Sequence, residues 1–152
     1  MINIDEYKPT IKTVTLEGYQ IVKGQLFSRQ LEPYMTIWQN CVSFNLPCYT
    51  ALNKCEFITV YVNKDEHRIM ITPSMSKDSD SVRWVKNPEA PKSDHIECTH
   101  FARQLFEDWN LDKDCRYKAK GRLVQCEKKV MLLFDFTDSE AWNGKNMVRE
   151  NV

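Results

Sequence analysis

The sequence predicts a strand-rich α+β fold in which a strand, a helix and a two-stranded hairpin occur in that order twice. The clearest copy spans residues 41–73, and a second copy with a longer helix and hairpin spans residues 95–142. Apolar residues alternate in the strand segments and recur at helical spacing between them. The two β-α-β-β units together predict a pseudo-twofold, barrel-like sheet with two short packing helices.

The first unit opens with a strand over residues 41–44, in which Val42 and Phe44 are expected on one face and Ser43 on the other. Asn45 follows this strand, and its side-chain oxygen is of the kind that accepts a free backbone N–H at a helix start. Pro47 suits the first turn of a helix, where no N–H donor is needed. The sequence therefore predicts a short helix that begins near Asn45 and ends near Asn53.

The hairpin of the first unit follows this helix. Phe57–Val62 is dense in β-branched and aromatic residues, which favour strands. A polar loop separates it from a second extended segment, Ile69–Thr72. Pro73 is expected to end the pairing, because proline offers no N–H to a neighbouring strand.

The second unit repeats this order with longer elements. A strand begins at Ile96, Thr99 is predicted as a helix cap, and Phe101–Trp109 carries an apolar stripe at helical spacing. Two further strands are predicted at Cys115–Val124 and Val130–Phe136, joined by a loop. Both units therefore contribute one helix and three strands to the predicted sheet.

The remaining segments surround the two units within a single domain that covers residues 1–152. Residues 10–40 are predicted to add N-terminal strands at residues 10–16, 19–23 and Met35–Trp38, the last forming a hairpin with the first unit. The polar residues 74–94 are predicted to connect the units, with a short strand at 82–85, and residues 143–152 to be a frayed tail.

Composition limits the classes of function. The chain has 21 basic and 21 acidic residues, so its net charge gives no general attraction to nucleic acid. It contains no run of about 18 apolar residues, which predicts no membrane span. The N-terminus lacks the basic and apolar parts of a secretory signal, and the six cysteines show no Cys-x-x-Cys pair. We therefore expect a cytoplasmic protein with reduced thiols.

One predicted strand carries the clearest functional pattern. Four cations alternate with mainly apolar or small residues between Cys115 and Leu123, so they share one face if this segment is a strand. Two more basic residues follow in the next loop. A row of cations spaced two residues apart suits contacts to DNA phosphates, whereas the alternative is a solvated face paired with acids on neighbouring strands. The candidate nucleic-acid-binding residues are Arg116, Lys118, Lys120, Arg122, Lys128 and Lys129.

Other constellations predict no catalysis, metal site or cofactor. His95, Cys98 and His100 lack a fourth zinc ligand at a usual spacing, and Cys98 with His100 lacks the geometry of a nucleophile and its base. The acidic pairs in the loops do not converge from separate elements, which disfavours a metal-dependent nuclease. No phosphate-cradling glycine motif is present. We therefore expect a protein that is not an enzyme.

Two resemblances bear on these expectations. The repeated order of strand, helix and hairpin resembles the swapped-hairpin arrangement of AbrB-type and MraZ-type DNA-binding regulators. A second resemblance covers most of the chain and is to small integrase-associated proteins of Gram-positive mobile genetic elements. It is carried by Glu17–Ser28, Val42–Asn45, Asn63, Ile71–Pro73, Trp84, Thr99, Phe101–Ala102, Trp109–Asn110, Arg116–Lys118, Gly121 and Leu133–Thr137.

The second resemblance implies a genetic context and not a strand-transfer activity. The leading hypothesis is a non-enzymatic accessory or regulatory protein of a mobile element that contacts duplex DNA through the basic face. The alternative is a module that docks on a recombinase or relaxase without touching DNA. The sequence leaves open whether the two units pair within one chain or swap between two chains of a homodimer.

Overall fold

A computed structural model describes residues 11–23 and 32–149 of the chain. Within those residues it contains nine strands and two helices, so the α+β class is confirmed. The strands are β1 (Tyr34–Ile37), β2 (Cys41–Phe44), β3 (Phe57–Asn63), β4 (Arg68–Ser74), β5 (Ser81–Arg83), β6 (His95–Glu97), β7 (Arg116–Cys126), β8 (Lys129–Asn143) and β9 (Asn146–Arg149). The helices are α1 (Leu46–Ala51) and α2 (Thr99–Asp108).

The described strands form one antiparallel sheet that curls into a half-barrel. Its order is β5-β3-β4-β8-β7-β1-β2-β6, and β9 pairs with β8 outside this path. The strand-helix-strand-strand order occurs twice, as β2-α1-β3-β4 and as β6-α2-β7-β8. The first strands of the two units pair with each other, as do their last strands. The middle strands of the two units, β3 and β7, do not pair with each other.

The core lies on the side of the sheet that the helices cover. Phe106 of α2 packs edge-on against Tyr117 of β7 with ring centroids 5.9 Å apart, and Trp109 lies 5.7 Å from Phe136 of β8. On α1, the ring of Tyr49 contacts the ring of Trp84. Nε1 of Trp84 donates to the Cys55 carbonyl at 2.8 Å. α2 therefore covers one side of β7, and the side chains on the opposite side are partly or fully exposed.

The N-terminal segment differs from the prediction. Residues 11–23 contain no strand, so the strands predicted at 10–16 and 19–23 are wrong wherever the structure describes them, while Thr10 and residues 24–31 lie outside the described part. A turn does form at Gly18, where the Tyr19 N–H donates to the Leu16 carbonyl at 3.0 Å. No described strand pairs with these β-prone residues, and local propensity alone does not make a strand. The hairpin of β1 and β2 forms as predicted.

Three smaller expectations are corrected. Pro73 does not end β4 but pairs with Ile58 of β3, and β8 accompanies β4 only as far as Ile71, so the missing N–H is tolerated there. Residues 146–149 of the predicted frayed tail form β9, whereas residues 150–152 lie outside the described part. Thr99 is the first residue of α2, and Cys98 holds the cap position instead.

Asn45 holds the predicted cap position of α1, but its side chain does not bond to the helix N–H groups. The Tyr34 N–H donates to Asn45 Oδ1 at 2.9 Å, and Asn45 Nδ2 donates to the Glu32 carbonyl at 2.9 Å. These bonds satisfy backbone groups next to β1 that the sheet does not reach. Asn45 therefore fixes the start of β1 beside the helix.

Candidate nucleic-acid interface

The six predicted binding residues lie on β7 and on the turn and strand that follow it. Along β7, Tyr117, Ala119 and Gly121 are buried, and the four cations that alternate with them are partly or fully exposed. This burial pattern places Arg116, Lys118, Lys120 and Arg122 on the side of β7 opposite α2. At a rise of about 3.4 Å per residue, the row extends over about 20 Å. We call this row the basic face.

Two of the cations lie against aromatic rings of the neighbouring strands. Arg116 pairs with Trp142 across the β7–β8 ladder, and its guanidinium carbon lies 5.5 Å from the centroid of the Trp142 ring. Lys118 Nζ lies 4.6 Å from the centroid of the Tyr34 ring on β1. Contacts of this kind stabilise a cation and restrict its side chain. The first half of the basic face is therefore an ordered surface of cations and aromatic rings.

Arg116 has a second partner in the same region. Its Nη1 donates to the carbonyl of Gly144, in the turn between β8 and β9. This turn requires a left-handed backbone, and Gly144 adopts a φ of 61°. Arg116 therefore joins β7 to the β8–β9 turn, and part of its role is structural.

Acidic side chains also border the basic face. Glu32 Oε2 lies 2.8 Å from Lys120 Nζ, and the hydrogen bond between them raises the pKa of Lys120. Glu140 on β8 stands directly opposite Lys118 in the ladder. Arg122 is exposed, and no ion pair with it occurs within the described residues. The four cations and these two carboxylates leave a local charge of about +2.

Lys128 and Lys129 lie at the end of the β7–β8 hairpin. The strands are joined by the two residues Glu127 and Lys128, whose φ values of 50° and 67° are those of a type I′ turn. Lys129 stands opposite Cys126, which lies on the same side of β7 as Arg122 because the two are four positions apart on the strand. Lys129 therefore extends the basic face, whereas Lys128 lies at the tip of the hairpin.

Gly121 has no side chain, and this lets β7 pack closely against a core residue of β8. A Cβ atom at position 121 would lie 2.6 Å from Cε1 of Phe134, which is fully buried on β8. The register of the β7–β8 ladder also changes here, because Ala119 pairs with Ser139 while Gly121 pairs with Phe134. The extra residues of β8 bulge out beside Lys120, so at that point β7 pairs only with β1.

The histidines near Cys98, which the sequence did not predict to form a site, have separate surroundings in the fold. The ring of His95 contacts that of Trp38 at a tilt of 44° with centroids 4.5 Å apart, while His100 is exposed on α2. Within residues 11–23 and 32–149, no group of three His, Cys, Asp or Glu side chains could hold a metal ion. Burial raises the pKa of Cys98 to about 11, which disfavours the thiolate that a nucleophile needs. The basic face itself offers cations and aromatic rings to a ligand.

Sequence reasoning missed the partners of the basic face. Tyr34 and Glu32 come from the start of β1, more than eighty residues before β7, and their position depends on the β1–β7 pairing. Glu140 and Trp142 come from the far end of β8. Knowing the register of the β7–β8 pairing would have placed Glu140 and Trp142 beside the basic face. That register changes at Gly121, and the change cannot be read from the sequence.

Comparison with known proteins gives no match, whether to a family model, to a curated protein or to a solved structure. No helix in the described part of the chain is long and apolar enough to cross a membrane.

Proposed function

We propose that the protein is a non-enzymatic, cytoplasmic accessory or regulatory protein of a mobile genetic element that holds duplex DNA against the basic face. The observation that carries this proposal is the row of four cations on one side of β7, with α2 covering the other side. The mobile-element context and a role like that of AbrB-type or MraZ-type regulators depend on the resemblances in the sequence.

The arrangement of the basic face suits phosphate contacts. Cation–aromatic contacts position Arg116 and Lys118, whereas Arg122 and Lys129 extend from the same side without an ion pair in the described residues. A strand spaces alternate side chains by about 7 Å, and such a row can follow a phosphate backbone without reading bases. The expected binding therefore depends weakly on DNA sequence and strongly on salt.

A mobility-shift assay at low salt tests this proposal on duplex DNA from the element. The test variant combines Arg116→Ala, Lys118→Ala, Lys120→Ala and Arg122→Ala. The control removes the same charge from exposed cations away from β7, by Lys77→Ala, Lys86→Ala, Lys92→Ala and Arg103→Ala. We expect the wild type and the control to shift the DNA and the test variant to lose the shift. Equal binding by all three proteins, or binding by none, contradicts the proposal.

The bordering acids favour a second candidate function. Glu32 already neutralises Lys120, and Glu140 stands opposite Lys118, so part of the basic face is paired as a solvated or protein-binding surface would be. The second candidate is a module that docks on a recombinase or relaxase of the element without DNA.

A pull-down from cells that carry the element separates the two candidates. Docking on a protein predicts a partner that stays bound after nuclease treatment and is lost in the four-residue test variant. DNA binding predicts that nuclease releases whatever is captured. The control variant should behave as the wild type in either case.

A further inference from the structure

The curled sheet has an open seam. The ends of the strand order are β5 with its neighbour β3 on one side and β6 on the other. Thr59, Val60 and Tyr61 of β3 line one cavity of about 450 Å³ together with Ile96 of β6 and Cys98. Both ends of the sheet therefore border the same cleft, and the cleft is the place where the half-barrel fails to close.

Backbone groups along this seam lack strand partners. β5 pairs with β3 only at Phe57, Ile58 and Thr59, so no described strand pairs with Val60–Asn63 on that side. β6 pairs with β2 on one side and with no described strand on the other. Open strand edges are templates for another extended segment.

The walls of the cleft are mostly apolar. Met35 and Ile58 form part of its floor and are fully buried, and Val82 and Phe101 lie at its partly exposed rim. Asp80 is the one acidic side chain among the lining residues. A segment that fills this cleft must therefore be extended and apolar, and a cation on it would complement Asp80.

The same chain carries a segment with these properties outside its own cleft. Residues 11–23 are exposed throughout, and six large apolar side chains are among them, including Ile21 at 97% and Leu16 at 84%. The segment contains Lys12 and Lys23 and one acid, Glu17. So much exposed apolar surface on a β-prone segment marks an interaction site.

We propose that residues 11–23 of one copy dock as an added strand in the cleft of a second copy. Within the described residues, the segment does not cover the cleft of its own chain, so the exposed segment and the cleft are both available for exchange. In a symmetric dimer each copy gives its segment and receives the other, so the contact forms twice. This goes beyond DNA binding and needs none of the residues of the basic face.

Sedimentation velocity over a range of protein concentrations measures this association. We expect a dimer whose dissociation constant rises about tenfold or more in Ile21→Asp and in Val82→Asp, because each places a charge in an apolar contact. Val130→Asp is the control, since Val130 is an exposed apolar residue that does not line the cleft. Its dissociation constant should change less than about twofold. A wild type that is monomeric at every concentration overturns the proposal.

Cross-linking identifies the occupant without relying on variants that charge the interface. One protein carries Ile21→Cys and another carries Asp80→Cys, so a bismaleimide link between positions 21 and 80 can form only across two chains when the proteins are mixed. Peptide mass spectrometry separates this link from links to native cysteines such as Cys98 in the cleft. We expect a cross-linked heterodimer, and none when Val130→Cys replaces Ile21→Cys. A link that forms only within a single chain carrying both cysteines shows that the segment fills its own cleft, and this result also overturns the proposal.

Discussion

The ring of Phe134 lies where a side chain at position 121 would have to be. Its Cε1 atom is 2.6 Å from the place of a Gly121 Cβ, and the ring is fully buried. Gly121 stands between Lys120 and Arg122, so the core side of β7 and its basic face meet at this residue. The contact explains why a cation-bearing strand has no Cβ here.

Gly121→Ala should therefore destabilise the protein. Alanine restricts the unfolded chain and contributes about 0.4–1 kcal/mol of stability, but overpacking a buried ring costs about 1–3 kcal/mol. We expect the overpacking cost to dominate and the free energy of unfolding to fall by about 1–2 kcal/mol in urea titrations. Arg122→Ala is the control on the exposed side and should change it by less than about 0.5 kcal/mol. An unchanged stability of Gly121→Ala would show that Phe134 moves freely.

The contact between Glu32 and Lys120 leads to a second prediction. Glu32→Gln removes the carboxylate that neutralises Lys120, so more positive charge faces the DNA. We expect the dissociation constant for duplex DNA to fall about two- to tenfold at low salt, measured by fluorescence anisotropy. Glu89→Gln, in the exposed connector, makes the same charge change away from β7 and should have little effect. If both variants bind duplex DNA with equal affinity, Lys120 does not contact the DNA.

The buried thiol of Cys48 predicts a loss of stability at alkaline pH. Burial raises the pKa of its thiol to about 12, and its Sγ donates to the carbonyl of Tyr34 at 3.4 Å and to Asn45 Oδ1 at 3.3 Å. An unfolded thiol titrates near pH 8.5, so above that pH the unfolded chain releases a proton that the folded chain retains. This pKa difference contributes to the free energy of unfolding. Its contribution is complete below about pH 8.5 and is lost as pH rises toward 12.

Cys48→Ser keeps a donor at this position without the titration. We expect the free energy of unfolding of the wild type to fall more steeply than that of the variant between about pH 8 and pH 10.5. Urea titrations of both proteins across this range measure the difference. Parallel pH profiles would mean that the Cys48 thiol titrates alike in both states.

Much of the architecture could be predicted from local patterns. The alternation in residues 41–44 and 115–124 defines strands, and the stripe in Phe101–Trp109 defines a helix, because each pattern repeats with the period of its element. The face occupied by the four cations of β7 follows from the same alternation. What local patterns could not predict is pairing at long range.

Asn45 shows this limit. Its residue type and place indicate a helix cap, yet its side chain bonds to the backbone of Glu32 and Tyr34, which the fold brings beside it. The neighbours of the basic face have the same origin, because Tyr34 and Glu32 reach β7 only through sheet pairing. Residues 11–23 fail in the opposite way, since their strand-like pattern pairs with no strand among the described residues.

The salt dependence of DNA binding shows whether the basic face contacts phosphates. For phosphate contacts the logarithm of the binding constant falls linearly with the logarithm of salt concentration, by about 0.9 for each contact to B-DNA. Removing Arg116, Lys118, Lys120 and Arg122 together should lower the magnitude of this slope by about 3–4, while the Lys77, Lys86, Lys92 and Arg103 control keeps the slope of the wild type. Identical slopes for all three proteins would contradict the account, because the basic face would then make no phosphate contacts.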